Sequence, residues 1–391
     1  MTAAAQLDGP TMARSIRETT ARTAAASEEA RTLCPEAVSA FWDSGLMQFM
    51  NPREAGGNEP SLRELIDTWQ ELAWQDGSTG WIGIANLPSA AFAAAYLPED
   101  GFGEVFTANG NRSTLGGQFA PNGLGQRVEG GYRISGNWSF GSGTGHSNFV
   151  VGGFIPMHDG EMQMGALGMP EMYVAVFPRE EINFTDGWFV QGLKATGSYD
   201  YNVQDVFVPD RRVFPLFTRE PKRGGTLYRF GIMPLTAAGH AAWALGIARS
   251  MLDDVRVLAK EKIRMGDMAT LAHRTTFQRN LSHHEGMWRA ARALIIDTFE
   301  RAEAELAGGT DITPAMRAEL RVAATYATEA CREVAQWVHL AAGTSAIREG
   351  SRIERAFRDM YTGTQHTFIG EKTYTDAAQI MLGLIEDSPA L

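Results

Sequence analysis

Cysteine is nearly absent: the 391 residues hold two, Cys34 and Cys331. A disulfide framework and a cysteine-built zinc cluster are thereby excluded. Long apolar runs are missing as well. Stretches such as Ala90–Leu97 end near eight residues, whereas a membrane-spanning helix needs about 20. Basic residues are outnumbered, 35 Lys+Arg against 46 Asp+Glu, for a net charge of −11. That balance opposes a nucleic-acid partner, whose phosphates call for a positive face. Met1–Ala26 lacks the basic stretch and apolar core of an export signal. The expected class is a cytoplasmic enzyme with no membrane and no nucleic-acid partner. Common catalytic signatures are missing too: no GxxxxGK[ST] loop, no strand–GxGxxG–helix unit, no HExxH and no GxSxG.

What is present is 42 Gly and nine Trp in a chain that reads as largely helical. Three parts follow from its texture: residues 1–110, 111–215 and 216–391. In the first, Ser61-Leu62-Arg63-Glu64 has the spacing of a reciprocal capping box. Leu65, Ile66, Trp69, Leu72 and Ala73 then recur at helical intervals. Pro35 to Ser44 predicts a short helix stopped by Gly45, and the apolar stretch from Trp81 to Leu97 a helix buried between layers. The middle part is glycine-rich, with expected strands at Tyr132–Phe140, Asn148–Ile155, Tyr173–Phe177, Trp188–Gly192 and Tyr201–Pro209. Gly130-Gly131 marks a hairpin turn. The last part predicts four long helices. One carries Trp243 to Leu258, the next Leu281 to Leu306. The third starts with Thr313 as cap and Pro314 at the first helical position, and the fourth spans about Ile353 to Leu384. The fold class is α+β: a helical domain, an antiparallel β-barrel or sandwich, and a four-helix bundle.

Three polar constellations stand out. Gly136-Asn137-Trp138-Ser139-Phe140-Gly141-Ser142-Gly143-Thr144-Gly145-His146 combines backbone N–H groups and hydroxyls with a large aromatic. It suits a planar heteroaromatic ring, and equally a glycine-rich turn beside a core tryptophan. Gly192-Leu193-Lys194-Ala195-Thr196-Gly197-Ser198 is a second small-polar turn. Arg358-Asp359 and His366, if on one helix, share a face; a surface pair beside an unrelated histidine is the plainer alternative. His283-His284 point about 100° apart on a helix and suit no shared metal. His146, His240 and His339 read as structural singletons. Lys222-Arg223-Gly224-Gly225, within Arg219–Gly231, reads as a mobile surface loop able to cover an entrance, or as a simple connector.

These pieces, in this order, resemble the acyl-CoA dehydrogenase superfamily over nearly the whole chain. Gly192–Ser198 followed by Val206-Phe207-Val208-Pro209 is similar to its middle-domain segment. Ile353-Glu354-Arg355-Ala356-Phe357-Arg358-Asp359 is similar to its C-terminal motif. The dehydrogenases' carboxylate base is missing from both of its places, which read Gln365-His366-Thr367-Phe368 and Met233-Pro234-Leu235-Thr236-Ala237-Ala238. Their Gln-x-x-Gly-Gly is reduced to His339-Leu340-Ala341-Ala342-Gly343, implying a weaker hold on an adenine tail. Gly136-x-Trp138-x-Phe140-x-Ser142-Gly143-x-x-His146 and Arg358-Asp359 with His366 resemble instead the two-component flavin-dependent monooxygenases.

That resemblance implies reduced FMN or FAD from a separate NAD(P)H:flavin reductase, O2 as co-substrate, and a flavin C4a-hydroperoxide that oxygenates a small aromatic or cyclic substrate. It implies Ser142 and His366 as catalytic, and Trp138, Ser142, Gly143, Thr196, Ser198 and Arg358 around the flavin. The substrate pocket would use Trp81, Asn86, Ser89, Gln118, His146 and Phe230. A homotetramer is implied as well. Ser89 stands where members acting on phenols often carry a histidine, which disfavours a phenolic substrate. The competing expectation is an FAD-containing dehydrogenase or oxidase with Glu371 as base; a non-catalytic scaffold is the third.

Overall fold

The computed structural model describes residues 7–165, 168–185, 187–388 and 391. The first six residues of the Met1–Ala26 stretch lie outside them. The amino-terminal part is helical: α1 (Gly9–Ser15), α2 (Arg17–Ala30), α3 (Pro35–Asp43), α4 (Leu62–Gln75), α5 (Gly77–Tyr96) and α6 (Glu99–Val105). Short polar residues start three of these helices, α1, α4 and α5. Asp8 accepts from Thr11 N–H, Ser61 from Glu64 N–H and Asp76 from Thr79 N–H, satisfying donors that a helix leaves unpaired at its first turn. The expected capping box is only half made. Glu64 reaches Gly9 N–H at 2.9 Å, and the Leu62 N–H goes to Glu303 on another helix at 2.9 Å. Tertiary partners have displaced the local one.

The sheet strands are β1 (Leu115–Val128), β2 (Gly131–Gly141), β3 (Phe149–His158), β4 (Glu161–Met162), β5 (Tyr173–Pro178), β6 (Asn183–Thr185), β7 (Tyr199–Pro209) and β8 (Val213–Pro215). Their order is β6-β7-β2-β1-β3-β5-β8, with β4 on β3. β1 and β2 form the expected hairpin, Val128 opposite Gly131, with Gly130 at φ +76°. The sheet is mostly antiparallel, as expected, with one parallel pair, β1 and β3. Trp188–Gly192 is not a strand. The chain there binds the bundle through Leu193, not a neighbouring strand.

The carboxy-terminal part holds α7 (Thr226–Arg229), α8 (Ile232–Glu261), α9 (Thr275–Ala307), α10 (Pro314–Ala342), α11 (Arg352–Gly363) and α12 (Lys372–Met381). Thr313 caps α10 by accepting from Met316 N–H at 3.1 Å. The single last helix expected from the sequence is two. α11 ends at Gly363, which lies so close to Trp243 that a Cβ would overlap its indole. His366 then caps one 3₁₀ turn, Thr367–Ile369. The helical-face relation between Arg358 and His366 therefore does not exist. α5 packs on α4, α8 and β1, so one core runs from the first helices into the bundle, while the sheet keeps its own around Trp138, Phe154 and Phe177. The Arg219–Gly231 stretch is tied down rather than loose. Arg223 is buried and donates to Ala94 O, Leu97 O and Glu99.

The α4–α8 crossing depends on one glycine. A Cβ on Gly246 would overlap the Gln70 carbonyl oxygen and press on Ala73. Gly246→Val should destabilise by about 1–3 kcal/mol from overpacking, read as a lower denaturation midpoint. Gly286→Ala, with open space on exposed α9, should be neutral or stabilising by up to about 1 kcal/mol.

Candidate functional site

The end of β2 leaves the sheet abruptly. Phe140 sits at φ +63°, a conformation rare for a bulky residue, and its N–H donates to Asp200 at 3.0 Å. Strain of this kind gathers at working sites. The kink presents Ser142 to a chain of hydrogen bonds. Trp81 Nε1 donates to Ser142 Oγ at 3.0 Å. Ser142 and Ser198 hydroxyls meet at 2.9 Å, Ser198 and Thr196 at 2.7 Å, and Thr196 donates to Leu193 O at 2.9 Å. A carbonyl only accepts, which fixes the polarity: Ser198 gives its proton to Thr196, and Ser142 gives its own to Ser198. Ser142 keeps a lone pair for a ligand. Thr196 and Ser198 are buried, while Ser142 retains some surface.

The turn behind this chain is held at Leu193, at φ +55°. Its carbonyl also accepts from Trp188 Nε1 at 3.0 Å, and its N–H donates to Asp359 Oδ1 at 2.6 Å. Asp359 is wholly buried and its Oδ2 has no partner. Burial first, and then the neighbouring Asp76, raise its pKa far above the usual carboxylate range. Arg358, expected beside the flavin, is engaged elsewhere. It pairs with Glu28 at 3.2 Å and with Glu354, and donates to Gln191 O at 2.9 Å. Its charge is spent on protein carboxylates.

Opposite Ser142, rings from α5, α8 and the α11–α12 connection converge. Trp81 meets His240 edge-on at 5.3 Å and Trp243 at 5.1 Å, and lies 6.0 Å from His366. The His240 and His366 ring centroids are 4.5 Å apart, with Phe368 about 6 Å from both. Hydrogen bonds fix the tautomers. His240 Nδ1 lies 2.8 Å from Thr236 O and so carries its proton, leaving a buried Nε2 without a partner. His366 Nδ1 accepts from Phe368 N–H at 3.3 Å, so the proton of its neutral ring sits on Nε2. Burial, then His366, push the His240 pKa well down. The enclosing protein, then the Arg321 cation, also lower that of His366, although its ring keeps solvent contact.

The remaining expected residues distribute unevenly. Gly143, at φ +76°, donates to Thr196 O at 2.9 Å, and a Cβ there would overlap the Asn86 amide. Asn86 is a buried strut, donating to Leu115 O at 2.7 Å and Ser147 at 3.1 Å. Ser89 is buried on α5. Gln118 gives its N–H to Tyr201 Oη and accepts from Asn122. His146 lies behind the turn against Thr32, its pKa pushed down to about 4 by burial and then by Arg179. Trp138 corrects the expectation of an exposed stacking surface. It is 1% exposed, stacks on Tyr201 and donates to Gly153 O. Exposed Phe140 and Phe189 offer apolar surface there instead. Phe230 is fully buried in the core. Glu371 is exposed at the start of α12, so the expectation of it as a hidden base is overturned. His283 is exposed and His284 stacks on Trp337. Among the described residues no three His, Cys, Asp or Glu side chains gather for a metal. His240 was the residue sequence reading missed. Its only signal was one polar ring within the small-residue run Ala237–Ala242.

A family model described as "Acyl-CoA dehydrogenase, C-terminal domain" matches residues 238–371. An indole-3-acetate monooxygenase of Pseudomonas putida is 27% identical over 353 residues, 90% of this chain and 88% of that protein. The oxygenase subunit HsaA of a flavin-dependent monooxygenase of Mycobacterium tuberculosis is also 27% identical, covering 88% of this chain and 87% of the other. The structure of XiaF from Streptomyces sp., in complex with FADH2 and glycerol, superposes with a TM-score of 0.89 at 21% identity, covering 98% and 97%. Fold and family model define an acyl-CoA dehydrogenase-like protein. Within that fold, the curated relatives it resembles at 27% identity are monooxygenases.

The Asp359 carboxyl gives a stability signature. Folded, it holds its proton where the unfolded chain, with an ordinary value of about 4, has lost it. Stability should therefore fall as pH rises above about 4, and fully so once the folded carboxyl ionises. Asp359→Asn keeps an acceptor for Leu193 N–H and should flatten that decline. Melting temperatures across pH 4 to 9 check it; parallel curves for both proteins would refute the assignment.

Proposed function

We propose that the protein is the oxygenase component of a two-part system. It would take reduced FMN or FAD from a separate NAD(P)H:flavin reductase and use O2 to oxygenate a small aromatic substrate. One observation carries the reading. At a position where a dehydrogenase of this fold would carry its carboxylate the chain has His366, and that ring lies 4.5 Å from His240.

The residues present suit a flavin ring. Phe140 and Phe189 give apolar surface, a Cβ-free backbone at Gly143 lets the turn pack closely, and Ser142 offers a lone pair. Because the hydroxyl chain makes Ser142 an acceptor, it favours a ring whose N5 bears hydrogen, the reduced form. Thr196 and Ser198 hold Ser142 in place rather than touching the ring. A bound reduced flavin supplies the electrons that split O2 between the substrate and water. His366, with its proton on Nε2, is set to donate toward the oxygen that leaves as water. His240, with a bare Nε2, is set to accept the substrate proton. Trp81, Trp243 and Phe368 keep water out, and a wet site would lose the oxidising equivalents as hydrogen peroxide. With serine at position 89, an indole or another non-phenolic ring is the better candidate, as in the Pseudomonas relative. Exposed Val257, Leu340, Ile347, Met381, Leu382 and Leu384 on and beside the bundle support a homotetramer. The absence, among the described residues, of a helix long and apolar enough to cross a membrane supports a cytoplasmic setting.

The test supplies chemically reduced FMN or FAD, 18O2 and indole-3-acetate. Labelled product supports the proposal. Oxidised flavin with peroxide alone across a panel of aromatic substrates would refute it, as would bleaching of a co-purified FAD by an acyl-CoA. His366→Ala should bind reduced flavin with unchanged affinity yet form product at least about 10²-fold more slowly. Unchanged turnover would remove His366 from the proton steps. Because its ring is already neutral at pH 7, turnover should also persist below pH 6.5, the ordinary histidine midpoint.

A further inference from the structure

Four arginines are buried: Arg212, Arg223, Arg317 and Arg321. Three have acidic partners. Arg212 lies 3.5 Å from both Glu104 and Glu181, Arg223 is 2.8 Å from Glu99, and Arg317 pairs with Asp387. Arg321, on α10, is only 5% exposed and has no carboxylate within ion-pair distance among the described residues. Its Nη2 donates to two neutral oxygens, Phe368 O at 2.9 Å and Thr373 Oγ1 at 3.3 Å, while Nε and Nη1 have no partner. Asp376, the nearest acid to affect it, is held by Lys372 at 2.5 Å. A buried cation left so is costly, because its lost hydration is not replaced.

The position of this cation is informative. Its guanidinium lies 4.3 Å from the Phe368 ring centroid, and that ring stands nearly parallel to His240, 6.0 Å away. Thr325, one turn further along α10, is also buried with an unpaired hydroxyl. An unpaired guanidinium thus stands next to the histidine wall, with no acid paired to it. We propose that Arg321 anchors a carboxylate carried by the aromatic substrate, so that this enzyme selects aryl acids over their neutral counterparts. The proposal rests on the oxygenase reading for the presence of an aromatic substrate; its chemistry is independent of the flavin. A guanidinium suits a carboxylate because two N–H groups meet two oxygens in one plane.

The experiment compares indole-3-acetate with indole-3-acetamide, equal in shape and different in charge, on protein loaded with reduced flavin under anaerobic conditions. The acid should bind about tenfold tighter or more. Arg321→Met should bring the ratio to about one, and Arg321→Lys should restore part of it. Equal affinities in the wild type, a preference that survives Arg321→Met, or failure of both ligands to bind would overturn the proposal. So would weaker flavin binding in Arg321→Met with the acid preference intact, which would assign the cation to a flavin phosphate. The wild-type ratio decides the matter even where the variant does not fold. Loss of 18O incorporation with the ratio intact would refute the oxygenase reading alone; incorporation with no acid preference would refute the anchor alone.

Discussion

Leu193 is the knot on which the site hangs. Its carbonyl takes hydrogen bonds from Trp188 and Thr196, and its N–H goes to a carboxyl on α11. Through Thr196 and Ser198 the same residue sets the direction of the Ser142 hydroxyl, and through Ser142 that of Trp81. Sheet, buried helix and bundle therefore share one polar path. It works only if each member has one role. Were Thr196 to turn its proton toward Ser198, Leu193 O would lose a donor and Ser142 would become the donor at the open end. The chain of neutral hydroxyls is short, and each of its protons has an acceptor, so it is stiff.

The same knot explains why Asp359 must stay neutral. An ionised carboxylate at that depth would have one oxygen facing Leu193 N–H and the other facing Gly77, where even a methyl group has no room. Asp76 stands close enough to repel it. Arg358 next to it in sequence compensates only in part, because Glu28 and Glu354 hold its guanidinium. Two adjacent residues with opposite formal charge thus do separate jobs. One ties the bundle to the first helices, and the other ties it to the turn.

Much of this was legible in the sequence where the cause was local. The Gly130-Gly131 hairpin, the Thr313-Pro314 helix start and the buried run after Trp81 each follow from a few neighbouring residues. The polar turns at 142–146 and 192–198 were legible as a pair, because hydroxyls and glycines concentrate there. What was hidden depended on distant partners. Trp138 turns into the sheet core because Tyr201 and Gly153 receive it. The last helix breaks because Gly363 meets Trp243. The broken connection, and no helical periodicity, brings His366 to Trp81 and His240. Glu64 leaves its cap for Gly9. Arg321 is set apart from the other buried arginines by lacking an acid, a relation between distant residues that one-dimensional spacing does not carry.

The unpaired cation and the two histidines form one electrostatic unit. Arg321 disfavours a proton on either ring, and His366 disfavours one on His240. Both rings are held neutral, the bare Nε2 of His240 open to accept a proton and the Nε2 of His366 carrying one. An anion placed against Arg321 would cancel part of that field and raise both pKa values toward the ordinary range. His240 would then become a better acceptor just when an acidic substrate is seated, and His366 a weaker donor by the same shift. The two effects oppose each other. The one on His240 should dominate, because that ring is more deeply buried and the field there is less screened by water. On the proposed role of Arg321, proton acceptance would thus depend on the presence of an acidic substrate. An uncharged aromatic ring in the same cavity would meet a poorer base.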